Sequence, residues 1–352
     1  MYSKSLQTLL HQTTNFQIVH HGTGHYVKTE LLPEKEFIGI DIGGTSIKGA
    51  FVRPDGKILS RFSFPVDHSK SQEEVIDELG LRIKKALGEN SLWPSDILGI
   101  GIGCPGSINS KKGCCDYSNN LQWENLAICK MIKKRTGIRT RIANDANAAI
   151  LGEVRFGAAR EFKNVVLLTL GTGVGGGLYL NGHLYEGTDS KGAELGHATL
   201  VMDGRPCTCG RNGCIEAYCS ASALIDDTKK MMKSNRNSLM WTYSKGDLKL
   251  VDGLTAFECA KKGDESAKRV VDQYIKYLGE SCLSYINIFR PDAIILGGGI
   301  SGQKEALIVP LTKYIEKEHF GFGGEHSPRV RILVSKLGND AGILGAAALL
   351  IH

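Results

Sequence analysis

Two stretches of this chain repeat one pattern, "IGIDIGGTSIKGAFV" (38–52) and "VVLLTLGTGVGGGLYL" (165–180). Each is a β-branched apolar run, a turn of glycine and threonine, and a second run. Period and composition read as strand–turn–strand. A chain that does this twice is predicted to be a duplicated α/β protein, each copy opening one half. The surrounding segments agree. "KILSRFSFP", "DILGIGIGCPG", "IRTRIAND", "DAIILGGGI" and "RVRILVSKL" read as strands. "SQEEVIDELGLRIKKAL", "ANAAILGEVRFG", residues 264–289 and "DAGILGAAALLI" have helical spacing. Alternating strands and helices predict parallel or mixed sheets with helices on their faces.

A chain of 352 residues has length for two domains of ordinary size. Its net charge of +6 is small for that length, and the basic residues are scattered apart from runs such as "KMIKKR" (130–135). Nucleic acid is therefore not an expected partner. No apolar run approaches the ~20 residues that a bilayer requires. The start, "MYSKSLQTLLHQ", has no signal-peptide core, so a cytoplasmic protein is expected. There the ten cysteines read as reduced thiols or metal ligands rather than disulfides. Residues 1–36, with His11, His20, His21 and His25, stand apart as a leader, either a short hairpin or a partly ordered terminus.

Backbone amides approach a phosphate closely only where side chains are absent, so the glycine turns are candidate phosphate clamps. They offer Gly43, Gly44 and Thr45 in the first turn and Gly171, Thr172 and Gly173 in the second. "LGGGI" (296–300) adds Gly298 and Gly299, and Lys48 leaves the first turn. No G-x4-G-K-[ST] occurs, and strands rather than helices follow the turns, which argues against P-loop and dinucleotide sites. Two such clamps facing across a cleft resemble the actin and hexokinase superfamily. Asp41, at a strand end before the first turn, is placed to hold Mg²⁺ against phosphates, or else to cap the turn amides.

In "IANDANAA" (142–149) Asp145 lies where a strand becomes a helix, with Asn144 and Asn147 beside it. It reads as a helix cap or as a carboxylate that takes a proton from an alcohol during phosphoryl transfer. "ELGHATLVMDGRPCTCGRNGCIEAY" carries Cys207, Cys209 and Cys214, and His197 is the expected fourth ligand of a closed, structural tetrahedral Zn²⁺ site. This loop looks too short and too irregular to keep its shape by packing alone, so metal ligation is expected to fix Glu194, His197 and Glu216 as partners for a polyhydroxy ligand. The glycine turns are read as distant from it. Cys219 reads as a buried thiol. "GCPGSINSKKGCCDYSNNLQWEN" (103–125) reads as a turn-rich loop that presents Asn120, whose amide suits sugar hydroxyls.

"DIGGTSIKGA", "NDANAA", "GTGVGGG", "ELGH" and "CxCGxxGCxE", in this order from about residue 37 to 350, resemble the ROK family (repressor, ORF, kinase). The resemblance implies a two-domain actin/hexokinase-like fold of duplicated α/β halves, with ATP and sugar in the cleft between them. Residues 37–143 plus 340–352 would form the smaller domain and 144–339 the larger, with its zinc loop. It gives Asp145 the role of general base and zinc to His197, Cys207, Cys209 and Cys214. Sugar contacts fall to Asn120, Asn144, Asp145, Glu194, His197 and Glu216. It also implies domain closure on sugar. The form "GRPCTCGRNGCIEAY" is most similar to that of glucokinases and N-acetylhexosamine kinases, so phosphorylation of glucose to glucose 6-phosphate is the leading expectation. The alternatives are an N-acetylglucosamine or N-acetylmannosamine kinase and a non-catalytic sugar-sensing regulator. The leader shows no second amphipathic helix and no basic recognition helix, which disfavours the regulator. A homodimer or higher homo-oligomer is expected. The polar stretch 233–253 is left without a role.

Overall fold

The computed structural model describes residues 35–318 and 330–351. The leader, apart from its last two residues, lies outside them. Two five-stranded sheets organise the chain. The first uses β1 (Glu36–Ile42), β2 (Ser46–Val52), β3 (Ile58–Pro65), β4 (Ile97–Cys104) and β8 (Thr140–Asn144), in the order β3-β2-β1-β4-β8. A small sheet of β5 (Ser107–Asn109), β6 (Cys114–Ser118) and β7 (Trp123–Leu126) is inserted before β8. The second large sheet uses β9 (Val165–Leu170), β10 (Val174–Leu180), β11 (His183–Tyr185), β12 (Ala293–Gly297) and β13 (Arg331–Val334), in the order β11-β10-β9-β12-β13.

The two large sheets have the same plan. In each, the first two strands pair antiparallel through a glycine turn, and the first strand then pairs parallel with a later one. β1 and β9 are central and almost wholly buried, which is why their sequences are continuous apolar runs rather than alternating ones. Each sheet has its own apolar core. The first gathers Ile38, Ile40, Phe51, Leu79 and Ile102, and the second Val166, Leu168, Phe257, Leu278 and Leu296. This is the duplicated α/β architecture that the paired turns predict.

The helices are α1 (Gln72–Glu89), α2 (Ile128–Thr136), α3 (Asp145–Phe156), α4 (Glu216–Cys219), α5 (Ala221–Ser234), α6 (Leu239–Tyr243), α7 (Thr255–Lys261), α8 (Glu265–Phe289), α9 (Glu305–Glu318) and α10 (Ala341–Ala348). α1 is held at its start by a capping box of Ser71 and Glu74. The stretch 233–253 contains the end of α5, all of α6 and a short 3₁₀ turn at Leu248–Leu250, so it is ordered helix and turn. Segment 103–125 is likewise more regular than a loop, because it forms most of the small sheet.

Two helices bring the halves together. α3 starts at the end of β8 in the first sheet and lies against β10 of the second. α10 follows β13 of the second sheet and returns to lie on β1 and β4 of the first. Gly39 and Gly101 make that return possible, since a Cβ on either would run into the Ile343 or Ala346 carbonyl of α10.

Candidate active site

The site begins at the junction of β8 and α3. Asn144 has extended backbone and caps the helix, its Oδ1 accepting from the amides of Ala146 at 2.9 Å and Asn147 at 3.4 Å. Its Nδ2 donates to the Gly106 carbonyl at 3.2 Å, tying the cap to the loop after β4. Asn144 therefore does the ordinary work of a cap, whatever else it contacts. Asp145 is the first helical residue, and its Oδ1 also accepts from the Ala146 amide, at 2.9 Å. The side chain is open to solvent on one side while protein closes around the others, and that desolvation lifts the carboxyl above its usual range. Asn147 is buried, and its Oδ1 has no hydrogen-bond partner among the described residues.

The first glycine turn faces this helix start. Asp41, the last residue but one of β1, lies opposite Lys48 on β2. Its carboxyl is also raised, first by burial and then by the charge of Asp145, with Lys48 opposing. The start of α10 closes over it, for a Cβ at Gly342 would lie 2.7 Å from the Asp41 carboxyl carbon. Gly43 donates to the Ser46 carbonyl at 2.9 Å, closing the turn, and a ring nitrogen of His68 meets the Gly44 carbonyl at 2.9 Å. Thr45 and Lys48 are exposed. Asn120 reaches the turn as well, since a Cβ at Gly44 would stand 3.9 Å from the Asn120 Cβ.

The second turn lies on the other side of α3, whose Ala146 packs against Gly175 and Gly177 of β10. Its glycines fall into two kinds. A Cβ at Gly173 would strike the Glu216 carboxylate, and one at Gly298 would strike Leu170 with φ at +80°, so packing alone accounts for both. Gly171 and Gly299 face open space, where packing gives no reason for a glycine. A ligand approaching the backbone does give one. Thr172 is exposed, and its carbonyl accepts from Ser222 at 2.9 Å. A cavity of about 360 Å³ opens here, lined by Thr172, Thr208, Glu216, Ser222 and Asp226.

His197, Cys207, Cys209 and Cys214 converge, with one ligand atom from each within 4.8 Å of the others. Cys209 Sγ lies 3.7 Å from Cys214 Sγ, and Cys207 Sγ lies 3.7 Å from His197 Nδ1. A tetrahedral Zn²⁺ with Zn–S bonds of about 2.3 Å sets its sulfurs about 3.8 Å apart, so the four side chains fit zinc. Hydrogen bonds within the loop restrain it as well. Cys207 and Gly213 donate to the carbonyls of Arg211 and Arg205 at 2.8 and 2.7 Å, and the Tyr218 hydroxyl accepts from the Arg205 amide at 2.8 Å. Cys219 is fully buried.

Glu194 caps and His197 ends a single 3₁₀ turn, Leu195–His197, whose Leu195 carbonyl accepts from the Tyr285 hydroxyl of α8 at 2.5 Å. The Glu194 carboxyl is raised, mainly by burial, with the charges of Asp145 and Glu216 adding to it and His197 opposing. Glu216 corrects one expectation. Its Oε2 accepts from the Val174 amide at 3.0 Å, and its Oε1 accepts from the Thr208 hydroxyl at 2.6 Å. The second glycine turn is therefore hydrogen-bonded to the metal loop rather than distant from it. Thr208, His68 and Tyr285 are contributors that sequence reasoning missed. Of these only Thr208, lying between the candidate metal ligands Cys207 and Cys209, carried a positional signal.

The ROK family model matches residues 37–352. A glucokinase from Thermotoga maritima is 37% identical, covering 91% of this chain and 98% of the relative. A xylose repressor from Caldicellulosiruptor bescii is 28% identical over 89% of this chain and 77% of its own length. Among solved structures, a ROK family glucokinase from Streptomyces griseus in complex with glucose and AMPPNP superposes with a TM-score of 0.75 at 31% identity, covering 89% of this chain and 98% of that one.

Proposed function

This chain belongs to the ROK family, and from that premise we propose that it is an ATP-dependent sugar kinase that converts glucose to glucose 6-phosphate. One observation carries the reading: Asp145 stands at a helix start between two glycine turns, its carboxyl raised by burial. A base with a raised pKa takes a proton more readily than an ordinary aspartate, and above that pKa it is ionised and ready.

The sugar hydroxyl would give its proton to Asp145 as its oxygen bonds to the γ-phosphorus. The bond from that phosphorus to the β–γ bridging oxygen breaks, and ADP leaves. Gly43, Gly44, Thr45 and Lys48 on one side, and Gly171, Thr172 and Gly173 on the other, would hold the phosphates, with Gly298 and Gly299 nearer the nucleoside. Asp41 would hold Mg²⁺, which neutralises phosphate charge. Asn120, Asn144, Glu194, His197 and Glu216 would hold the sugar. His197 can serve metal and sugar at once, because its Nδ1 faces Cys207 and leaves Nε2 for a hydroxyl. Zinc would be structural, keeping Glu194 and Glu216 in place. The functional halves would follow the two large sheets, 37–143 with 340–352 and 144–339, closing on sugar to exclude water.

The similarity to a glucokinase and to a structure holding glucose favours glucose. An N-acetylhexosamine is the second choice, and the repressor similarity keeps a sugar-binding regulator as the alternative class. An assay of ADP release against a panel of hexoses tests all three. Glucose-dependent release supports the proposal. Preference for an N-acetylhexosamine reassigns the substrate. Sugar binding without release leaves the regulator.

A further inference from the structure

The chain passes between the two large sheets twice, once through α3 and once between β13 and α10. The second passage is short. Ser335 still belongs to the second sheet, its amide donating to the Leu296 carbonyl of β12 at 2.8 Å. Asp340 is already held by the first, in a two-pronged pair with Arg61 of β3 at 2.7 and 2.9 Å. Any change in the angle between the sheets must be absorbed in α3 and in these few residues.

Glu153 joins the two passages. It lies on α3 and is fully buried, yet no cation pairs with it among the described residues. Its Oε1 accepts from the Ser335 hydroxyl at 2.6 Å and the Leu337 amide at 2.9 Å. Its Oε2 accepts from the Ala158 amide at 2.7 Å and the Lys336 amide at 3.2 Å. Four donors replace the lost water, which is what a buried carboxylate requires. Next to it α3 and α10 touch through glycines: a Cβ at Gly152 would stand 2.9 Å from the Ala341 carbonyl oxygen, and Gly345 packs on the Ala148 carbonyl. The starts of these same helices carry the chemistry, Asp145 on α3 and the Gly342 contact with Asp41 on α10.

We propose that Glu153 is a positioning residue that clasps both passages, so that the halves swing about a fixed pivot and bring Asp41 and Asp145 to working distance. The effect on turnover rests on the kinase reading above, whereas the effect on closure does not. Glu153→Gln keeps the shape but must turn its NH₂ toward one pair of donors. Ser335→Ala removes a single donor and is the milder probe.

The tests use full-length, metal-loaded protein. Small-angle scattering with and without glucose reads closure, calorimetry reads sugar affinity, and ADP release reads kcat. Glucose should compact the wild type. Glu153→Gln should lose most of that compaction, with kcat falling on the order of 10²-fold, as expected when reacting groups are misplaced by about 1 Å. Sugar affinity should fall much less. Ser335→Ala should show the same split to a lesser, few-fold degree. A folded Glu153→Gln protein that compacts and turns over like the wild type overturns the proposal. So does a Ser335→Ala protein whose melting temperature drops while compaction and kcat stay unchanged, since that is the mark of a purely structural bond. If Glu153→Gln does not fold, Ser335→Ala decides. If the wild type compacts on sugar but releases no ADP, the kinase reading fails while the scattering arm still judges the clasp.

Discussion

At the scale of the residue, Asp145 makes two linked predictions. As the base it must be ionised, and its pKa is raised by desolvation. The acid limb of kcat/KM should therefore lie above the ordinary aspartate range, with activity lost as pH falls through it. The sign for stability is opposite. The folded chain holds this proton more tightly than the unfolded one, so stability declines as pH rises from the unfolded pKa through the folded one. Asp145→Asn cannot ionise and still accepts from the Ala146 amide. It should melt higher than the wild type at neutral pH, with the gap closing in acid, as thermal scans across pH would show. Cys209→Ser removes one of the four proposed metal ligands, so metal analysis should fall from about one zinc per chain to little or none. Because Thr208 and Glu216 join the metal loop to Val174, glucose and ATP affinity should both weaken. Unchanged affinities in the metal-free variant would contradict this account.

At the scale of the element, the second glycine turn separates packing from binding. Gly171→Ala puts a methyl into open space and Gly173→Ala puts one against Glu216. The first should leave the melting temperature within about 1 °C while raising the KM for ATP several-fold. The second should lower stability and weaken ATP and sugar together. These turns were readable in the sequence because strand period and glycine clusters are local signals, and so were the strand-to-helix junction before α3, the Cys/His spacing and α8. The cap itself falls on Asn144, one residue before the Asp145 to which sequence reasoning assigned it. The small sheet was read as loop because β5 and β7 have only three and four residues, too few to show a period. The helical order of 233–253 was hidden because α6 has five residues and the 3₁₀ turn three, too few to show a period. The bond from Glu216 to Val174 joins residues 42 apart in the chain, and the Tyr285 bond to Leu195 joins residues 90 apart. Such contacts depend on how sheets and helices stack, which no local pattern records.

At the scale of the whole molecule, the question is whether sugar binding is coupled to turnover. A kinase and a sugar-responsive regulator can share two sheets, a cleft, a metal loop and a sugar site. The kinase also needs the halves to meet over a nucleotide with a base in place. Among the described residues no helix is long and apolar enough to cross a membrane. The most direct measurement sets glucose affinity beside glucose-dependent ADP release, in the wild type and in Asp145→Asn, with Mg-ATP and full metal loading. The account predicts glucose dissociation constants within a few-fold of each other and ADP release lower by about 10² to 10⁴ in the variant. Equal turnover in the two proteins, or glucose binding with no ADP release in the wild type, would contradict it.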